Sequence, residues 1–208
     1  MGAPPSMIGI AGGSCSGKST IAARLAERLG SARAPVVALD SYYRDRRELE
    51  RLTGSEPNWD DPVALDRALM IDQLVALSRG ASVDLPVYDF NEHRRTADTL
   101  TIVPGTHVIA EGLFTLRWSE LRALWRLSVF VEVDDDTGRR RRIARDTRER
   151  GRDRASVERQ WRLSVRPMYR AHVAPTRRYA DLALDGTRPV DESLRAIVAQ
   201  LAPDQDPD

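Results

Sequence analysis

Gly12-Gly13-Ser14-Cys15-Ser16-Gly17-Lys18-Ser19-Thr20 is the stretch that decides the fold of this 208-residue chain. It reads G-x-x-x-x-G-K-S, the pattern of a Walker A phosphate-binding loop. The apolar run Met7 to Ala11 precedes it, and Ile21, Leu25 and Leu29 come after it at helical spacing. Strand, glycine loop and helix are the context the motif requires. Glycines let the backbone bend until successive N–H groups point at one anion, and the positive end of the next helix favours the same anion. Gly12, Gly13, Ser14, Cys15, Ser16, Gly17, Lys18, Ser19 and Thr20 are therefore the expected nucleotide-phosphate contacts. Lys18 can reach the β- and γ-phosphates, and the Ser19 hydroxyl can ligate Mg²⁺.

Composition singles out the same place. Lys and Arg total 32, and Lys18 is the only lysine. Every other cation is a planar guanidinium; the compact ammonium stands where a point charge suits a phosphate. A net charge of +1 argues against a general nucleic-acid binder. The lone Cys15 excludes an intramolecular disulfide and a cysteine-cluster metal site. A small residue in the loop is its plain reading, and a redox role is the alternative. Met1 to Ser6 lacks the pattern of a signal peptide, and no apolar stretch approaches the roughly 20 residues of a membrane span, so a cytoplasmic protein without membrane contact is expected.

Outward from the loop, strand 7–11 and helix 18–29 lead to a second apolar strand, 36–39, which ends on Asp40. Strand, helix and strand predict a parallel pair with a right-handed crossover. Ligands in such sheets sit beyond the carboxyl ends of the strands, which puts Asp40 on the site edge. The polar stretch to Pro57 reads as a loop or short helix. Asp61 before Pro62 reads as the start of a helix carrying Leu65, Leu69, Leu74 and Leu77, ended by Gly80; Asp60 is then free for another role. Strands over 83–90 and 99–103 enclose the polar 91–98 and predict an edge hairpin with His93 in its tip. A histidine in a polar loop is ordinarily just solvated. Strand 107–110 ends on Glu111, which resembles a Walker B acid holding Mg²⁺; an ordinary strand-end glutamate is the other reading.

A helix over 119–125 and a buried strand over 127–133 come next. Asp134 to Asp136 should open another helix, with acids at its positive end. Arg139 to Arg154 then carries nine arginines. Two readings stand: a solvated charged helix with Asp146, Glu149 and Asp153 as partners, or a lid whose arginines close over phosphates, with Gly151 as its turn. Helix 155–166 is expected to break at Pro167, with a helical pattern resuming over 168–173. Strand 180–184 and helix 190–201 close the chain, and the tail 203–208 should be disordered. The fold class is α/β: a P-loop NTPase-type parallel sheet flanked by helices. One P-loop domain spans 1–208, with the hairpin at about 83–104 and the Arg-rich helical lid at about 138–155.

With these segments in view, the chain resembles the uridine–cytidine kinases, within the phosphoribulokinase-like P-loop kinases. The matching stretches are 12–20, LDSYYRD at 39–45, NWDDPVALD at 58–66, PVYDFNEHRR at 86–95, EGLF at 111–114, the arginine run at 141–153 and RPMYRAHVAPTRRYADLAL at 166–184. The loop is generic; the hairpin and lid signatures are specific. The chain departs from the family pattern at Asp61, Glu132 and Gly138.

The resemblance implies transfer of the γ-phosphate of ATP, or GTP, to the 5′-hydroxyl of uridine or cytidine, in pyrimidine salvage. Asp40 would be the general base, and Ser19, Glu111 and Asp40 would hold Mg²⁺ directly or through water. Asp60 and Arg152 would bind the ribose hydroxyls. Tyr88 and His93 would read the base, with Tyr43 lining the pocket. Lys18, Arg145 and Arg150 would act on the transferred phosphate, and Arg142 and Gln160 would complete the nucleoside site. The family also implies a homo-oligomer, often a tetramer. The alternatives are a kinase of the same architecture for phosphoribulose, pantothenate or a nucleoside-like metabolite, and a nucleotide-dependent switch without turnover.

Overall fold

The computed structural model describes residues 3–201. The run Met7 to Ala11 becomes the middle of β1 (Ser6–Gly12), and its side chains are almost wholly buried. A strand with no polar face needs cover on both sides. It has it. Ile21 and Leu25 of α1 (Lys18–Leu29), with Leu194 and Ile197 of the closing helix Val190–Leu201, pack on one face of the sheet. Leu39, Tyr42, Leu74, Leu77, Phe114 and Trp125 fill the other.

The sheet contains β1, β2 (Val36–Ala38), β5 (His107–Gly112), β6 (Leu127–Glu132) and β7 (Leu182–Asp185). Their spatial order is β2-β5-β1-β6-β7, and every pair is parallel. All carboxyl ends therefore reach one edge, which gathers Gly12, Asp40, Glu111, Asp134 and Gly186. The expected β1–β2 pair is corrected. The two strands are parallel but not neighbours, because β5 lies between them. Strands apolar on both faces satisfy any central slot equally, so local pattern does not fix their order.

β3 (Val83–Asp89) and β4 (Arg94–Ile102) form a separate antiparallel ribbon with an irregularity between Pro86 and Tyr88. The second strand starts earlier than its β-branched run suggested, so only 90–93 remain as the tip. His93 adopts φ +51° there. The Arg95 side chain holds the ribbon in place. Its Nε donates to the Tyr43 carbonyl at 3.0 Å, its guanidinium lies 3.3 Å from Asp66 Oδ2, and its backbone N–H donates to Asp45 Oδ1 at 2.7 Å.

Other expectations shift. Within 45–57 the chain forms α2 (Arg46–Thr53). Asp61 does cap a turn, accepting from Val63 N, but that turn is the short 3₁₀ segment Pro62–Ala64. The helix proper, α3 (Arg67–Ser78), is capped by Asp66, and Leu65 is extended and buried ahead of it. Only Ser119–Arg122 of the expected 119–125 helix is α-helical; this is α4.

Asp134 caps α5 (Asp135–Glu149), accepting from Thr137 N at 2.8 Å. After a turn, with Gly151 at φ +60°, α6 (Arg154–Gln160) begins. The expected break at Pro167 is corrected. The backbone runs on from α6 as a π-turn over Trp161–Val165, an α-turn, a second π-turn over Tyr169–Val173 and a 3₁₀ segment to Tyr179. Proline blocks the i→i−4 bond of an α-helix, and the wider π register on either side does not require that bond. The tail 203–208 lies outside the described residues. Among those described, no helix is long and apolar enough to cross a membrane.

Candidate active site

The phosphate loop turns on backbone that glycine permits. Gly12 has φ +155°, and a Cβ there would stand 2.5 Å from the Val131 carbonyl oxygen of β6. Gly17, at φ +100°, sets the N-terminus of α1, where Ile21 N donates to the Gly17 carbonyl at 3.0 Å. Cys15 holds φ +60° without being glycine. The loop's far side is close-packed: a Cβ at Gly186 would collide with the Ser16 carbonyl. The N–H groups at the start of α1 thus open into a cavity of about 460 Å³ lined by Cys15, Gly17, Lys18, Ser19, Thr20, Arg141, Arg145, Gly186 and Arg188.

At the end of β5, Glu111 is buried beside this loop. Its Oε1 accepts from Ser19 Oγ at 2.9 Å, and its Oε2 lies 3.7 Å from Lys18 Nζ. Oε2 is buried and accepts no hydrogen bond. Burial pushes the Glu111 carboxyl above its ordinary pKa, while the Lys18 ammonium opposes that shift. A hard hydroxyl, a carboxylate oxygen without a donor and nearby Asp40 fit Mg²⁺, which takes oxygen ligands. Among the described residues no three His, Cys, Asp or Glu cluster closely enough to hold a metal alone.

A second cavity continues from the loop. Ser14, Lys18, Asp40, Tyr43, Asp60, Tyr88, His93, Arg142, Arg145, Arg150, Arg152 and Gln160 all line it. Sequence positions from 14 to 160 thus meet around one space. Cys15, Gly17, Ser19 and Thr20 line the first cavity instead, Gly13 lines a neighbouring one, and Gly12, Ser16 and Glu111 line neither of the two. Asp60 is buried; its Oδ2 accepts from Ser164 Oγ at 2.9 Å and its Oδ1 lies 3.8 Å from Arg142. Arg142 also donates to Ser14 Oγ at 2.9 Å, tying α5 to the phosphate loop. Gln160 Oε1 accepts from Arg152 at 2.7 Å and from Arg142 at 3.3 Å.

The wall opposite these charges is aromatic. Trp59 stacks on His93 with centroids 4.8 Å apart and planes at 8°. It meets the Tyr43 ring edge-on at 5.7 Å, and Tyr88 contacts Phe90 at 5.2 Å. Burial, then the cations Arg46, Arg152 and Arg150, depress the His93 pKa below its ordinary 6.5, so the ring is neutral at pH 7. A neutral imidazole offers one donor and one acceptor.

Sequence reasoning passed over four participants. Trp59 and Phe90 complete the aromatic wall, and an aromatic immediately before Asp60 was the available signal. Ser164 orients Asp60 from a π-turn that no local pattern announces. Asp146, read as a partner on a solvated face, has no exposed surface at all.

Residues 7–193 match the Phosphoribulokinase / Uridine kinase family. A protein named uridine kinase from Deinococcus deserti is 43% identical over 180 residues, covering 86% of this chain and 87% of its own. One of the same name from Escherichia coli is 41% identical over 180 residues, covering 85% and 84%. The solved phosphoribulokinase from Rhodobacter spheroides superposes with a TM-score of 0.65 at 15% identity, covering 88% of this chain and 70% of that one, a likeness of fold. The chain belongs to the phosphoribulokinase/uridine kinase family.

Proposed function

We propose that this kinase transfers the γ-phosphate of ATP to the 5′-hydroxyl of uridine or cytidine. The observation that carries the reading is one cavity lined at once by Ser14 and Lys18 of the phosphate loop, by Asp40, and by the aromatic rings of Tyr43, Trp59, Tyr88 and Phe90. Asp60 and Arg152 bind the ribose diol, a carboxylate accepting where hydroxyls donate. Tyr88 and neutral His93 meet the edge of the pyrimidine, with Tyr43 and Trp59 packing around it. Arg142 and Gln160 complete this side.

Asp40 accepts the proton of the 5′-hydroxyl as its oxygen attacks the γ-phosphorus. The bond from that phosphorus to the β–γ bridging oxygen breaks, and ADP leaves. Lys18, Arg145 and Arg150 neutralise the charge that spreads over the transferred oxygens. Positioning and charge neutralisation make up nearly all of what the protein contributes in phosphoryl transfer. Ser19 and Glu111, with Asp40, would hold Mg²⁺, which supplies further neutralisation of the phosphates when bound.

The test is an acceptor panel with ATP or GTP and Mg²⁺, scored for new phosphomonoester. Uridine and cytidine should be used, and adenosine and guanosine hardly at all, because a purine would collide with the hairpin. Deoxyuridine should be roughly ten- to a hundredfold poorer, the cost of leaving buried Asp60 short of one hydrogen bond. Phosphorylation of a sugar phosphate or pantothenate with neither pyrimidine ribonucleoside used would overturn this reading and leave only the family. Tetramer formation belongs to the same reading and is checked by sedimentation.

A further inference from the structure

The carboxylate of Asp146 has no exposed surface and is surrounded by four guanidinium groups. Its two oxygens divide them. Oδ1 accepts from Arg145 Nε at 2.9 Å, with Arg145 Nη2 at 2.8 Å, and Arg150 Nε stands 3.9 Å away. Oδ2 faces Arg152 at 3.4 Å and Arg142 Nε at 3.5 Å. The Asp146 carbonyl also accepts from Arg150 N at 3.3 Å and Arg152 N at 3.1 Å, so the same residue shapes the turn after α5.

This division matches function. On the reading proposed above, on which this inference rests, Arg145 and Arg150 face the transferred phosphate, and Arg142 and Arg152 face the acceptor. One negative charge among four positive ones leaves a cationic surplus directed at the cavity. Four guanidinium groups repel one another at any spacing, and a desolvated carboxylate between them offsets that repulsion with little screening. Arg142 continues the chain of contacts to Asp60 and Ser14, and Arg152 to Gln160.

We propose that Asp146 is a positioning residue that couples acceptor binding to the phosphate clamp. Occupation of the ribose site fixes Arg142 and Arg152 against Oδ2. The rigid carboxylate transmits that constraint to Arg145 and Arg150 on Oδ1. Nucleotide bound beside Arg145 acts back along the same path, since coupling between two sites is reciprocal.

The experiment measures nucleoside affinity by calorimetry with and without the non-hydrolysable analogue β,γ-imido-ATP and Mg²⁺, in wild type and Asp146→Asn. In wild type the analogue should tighten uridine binding by about fivefold or more, within the usual span of coupling between sites. In Asp146→Asn, where an amide replaces one oxygen and the charge is lost, each ligand should still bind alone within about threefold of wild type, the coupling factor should fall toward one, and kcat per folded molecule should drop by about tenfold or more. A purely structural role would lower the unfolding midpoint and the folded fraction and leave the factor untouched. A factor near one in wild type, or a wild-type factor and kcat in folded Asp146→Asn, overturns the proposal.

If Asp146→Asn does not fold, Asp146→Glu decides, since it keeps the charge but displaces the oxygens by a methylene. A reduced factor with intact single-ligand binding supports the coupling, and an unchanged factor overturns it. If wild type neither binds nor phosphorylates a pyrimidine ribonucleoside, the substrate reading fails separately. The same measurement on the acceptor that wild type does use then tests Asp146.

Discussion

Helices α1 and α5 both begin at the sheet's carboxyl edge and both border the phosphate cavity, yet they are fixed in opposite ways. α1 buries Ile21, Ala22, Leu25 and Ala26 against the sheet. α5 buries Gly138, Arg142 and Asp146, while Ile143 is only half-buried and Ala144 is exposed. One helix is held by apolar area removed from water, the other by desolvated charge. The difference shows where periodicity informs. Buried positions at a spacing of four mark α5 as plainly as α1, but in a run of arginines the buried ones look like the rest. An apolar stripe places a helix cheaply. A buried ion-pair stripe costs desolvation and is weak evidence for stability, so its retention calls for a functional reason.

The largest effect expected lies between the two helices. Asp40 lines the space that Lys18 borders from one side and Arg145 from the other. Asp40→Asn keeps size and polarity and removes the proton acceptor. Turnover should fall by roughly 10²–10⁴ with the affinity for ATP nearly intact, as loss of a general base predicts. Near-normal turnover with chemistry rate-limiting would mean that the two helices converge on something other than the reacting oxygen.

The next test separates the helices by what holds them. Leu25→Ala empties a fully buried site in α1 and should destabilise the protein by about 2–5 kcal/mol, with kcat of the folded enzyme unchanged at 25 °C. Ile143→Ala in α5 removes a half-buried side chain and should cost only about 1 kcal/mol. Denaturant unfolding reads both. Equal losses would contradict the claim that α5 does not depend on its apolar residues.

Legibility in the sequence divided along the same line. The phosphate loop, α1 and Glu111 near the end of β5 were readable because their signals are local: glycines at fixed spacing, an apolar run, a helical stripe. The strand expected over 36–39 stops at Ala38, and Asp40 reaches the same edge from the 3₁₀ turn Leu39–Tyr42. The placing of β5 between β1 and β2 was not, since strand order rests on contacts distant in sequence. The Asp61-Pro62 pair drew the helix start five residues too early, because Asp66 also caps and nothing local ranks the two. Pro167 misled through a rule that holds for α-helices and fails beside π-turns. The convergence of Tyr43, Asp60, Tyr88 and His93 came from the family resemblance, not from spacing. Trp59 and Ser164 became visible only once the cavity existed.

A smaller effect is expected on α5 itself. Arg145→Ala removes one cation from a group that keeps Arg142, Arg150 and Arg152, so the neighbours soften the loss. Turnover should fall about ten- to a hundredfold, below the full value of an isolated stabilising donor, and the nucleoside KM should stay within about threefold. A raised KM with unchanged kcat would assign Arg145 to ground-state binding and move the phosphate clamp off α5.

The smallest effect concerns how far the charge of this region reaches. His93 stacks on Trp59 across the cavity from α5, and after burial the cations Arg46, Arg152 and Arg150 are what keep its pKa below 6.5, with Asp89 opposing them. The shift favours the neutral ring. As pH falls from 8 through 6.5, His93 in the free enzyme should therefore stay neutral where an ordinary histidine half-protonates, and the uridine KM should remain flat. Only at lower pH should protonation remove the ring acceptor and raise KM. Arg46 is exposed and lines the wider cavity that adjoins His93, away from Lys18 and the phosphate loop, so Arg46→Gln lowers the local positive charge without removing a phosphate-loop residue. It should move the His93 titration toward 6.5 and carry the acid limb of KM with it, by a fraction of a pH unit. Nuclear magnetic resonance of the imidazole protons, with the His93 signal identified by its loss in His93→Gln, reads the pKa directly among the three histidines of the chain. An acid limb at 6.5 in wild type would mean that these arginines do not reach the base pocket, and a titration that Arg46→Gln leaves unmoved would mean that the α2 cation has no part in holding His93 neutral.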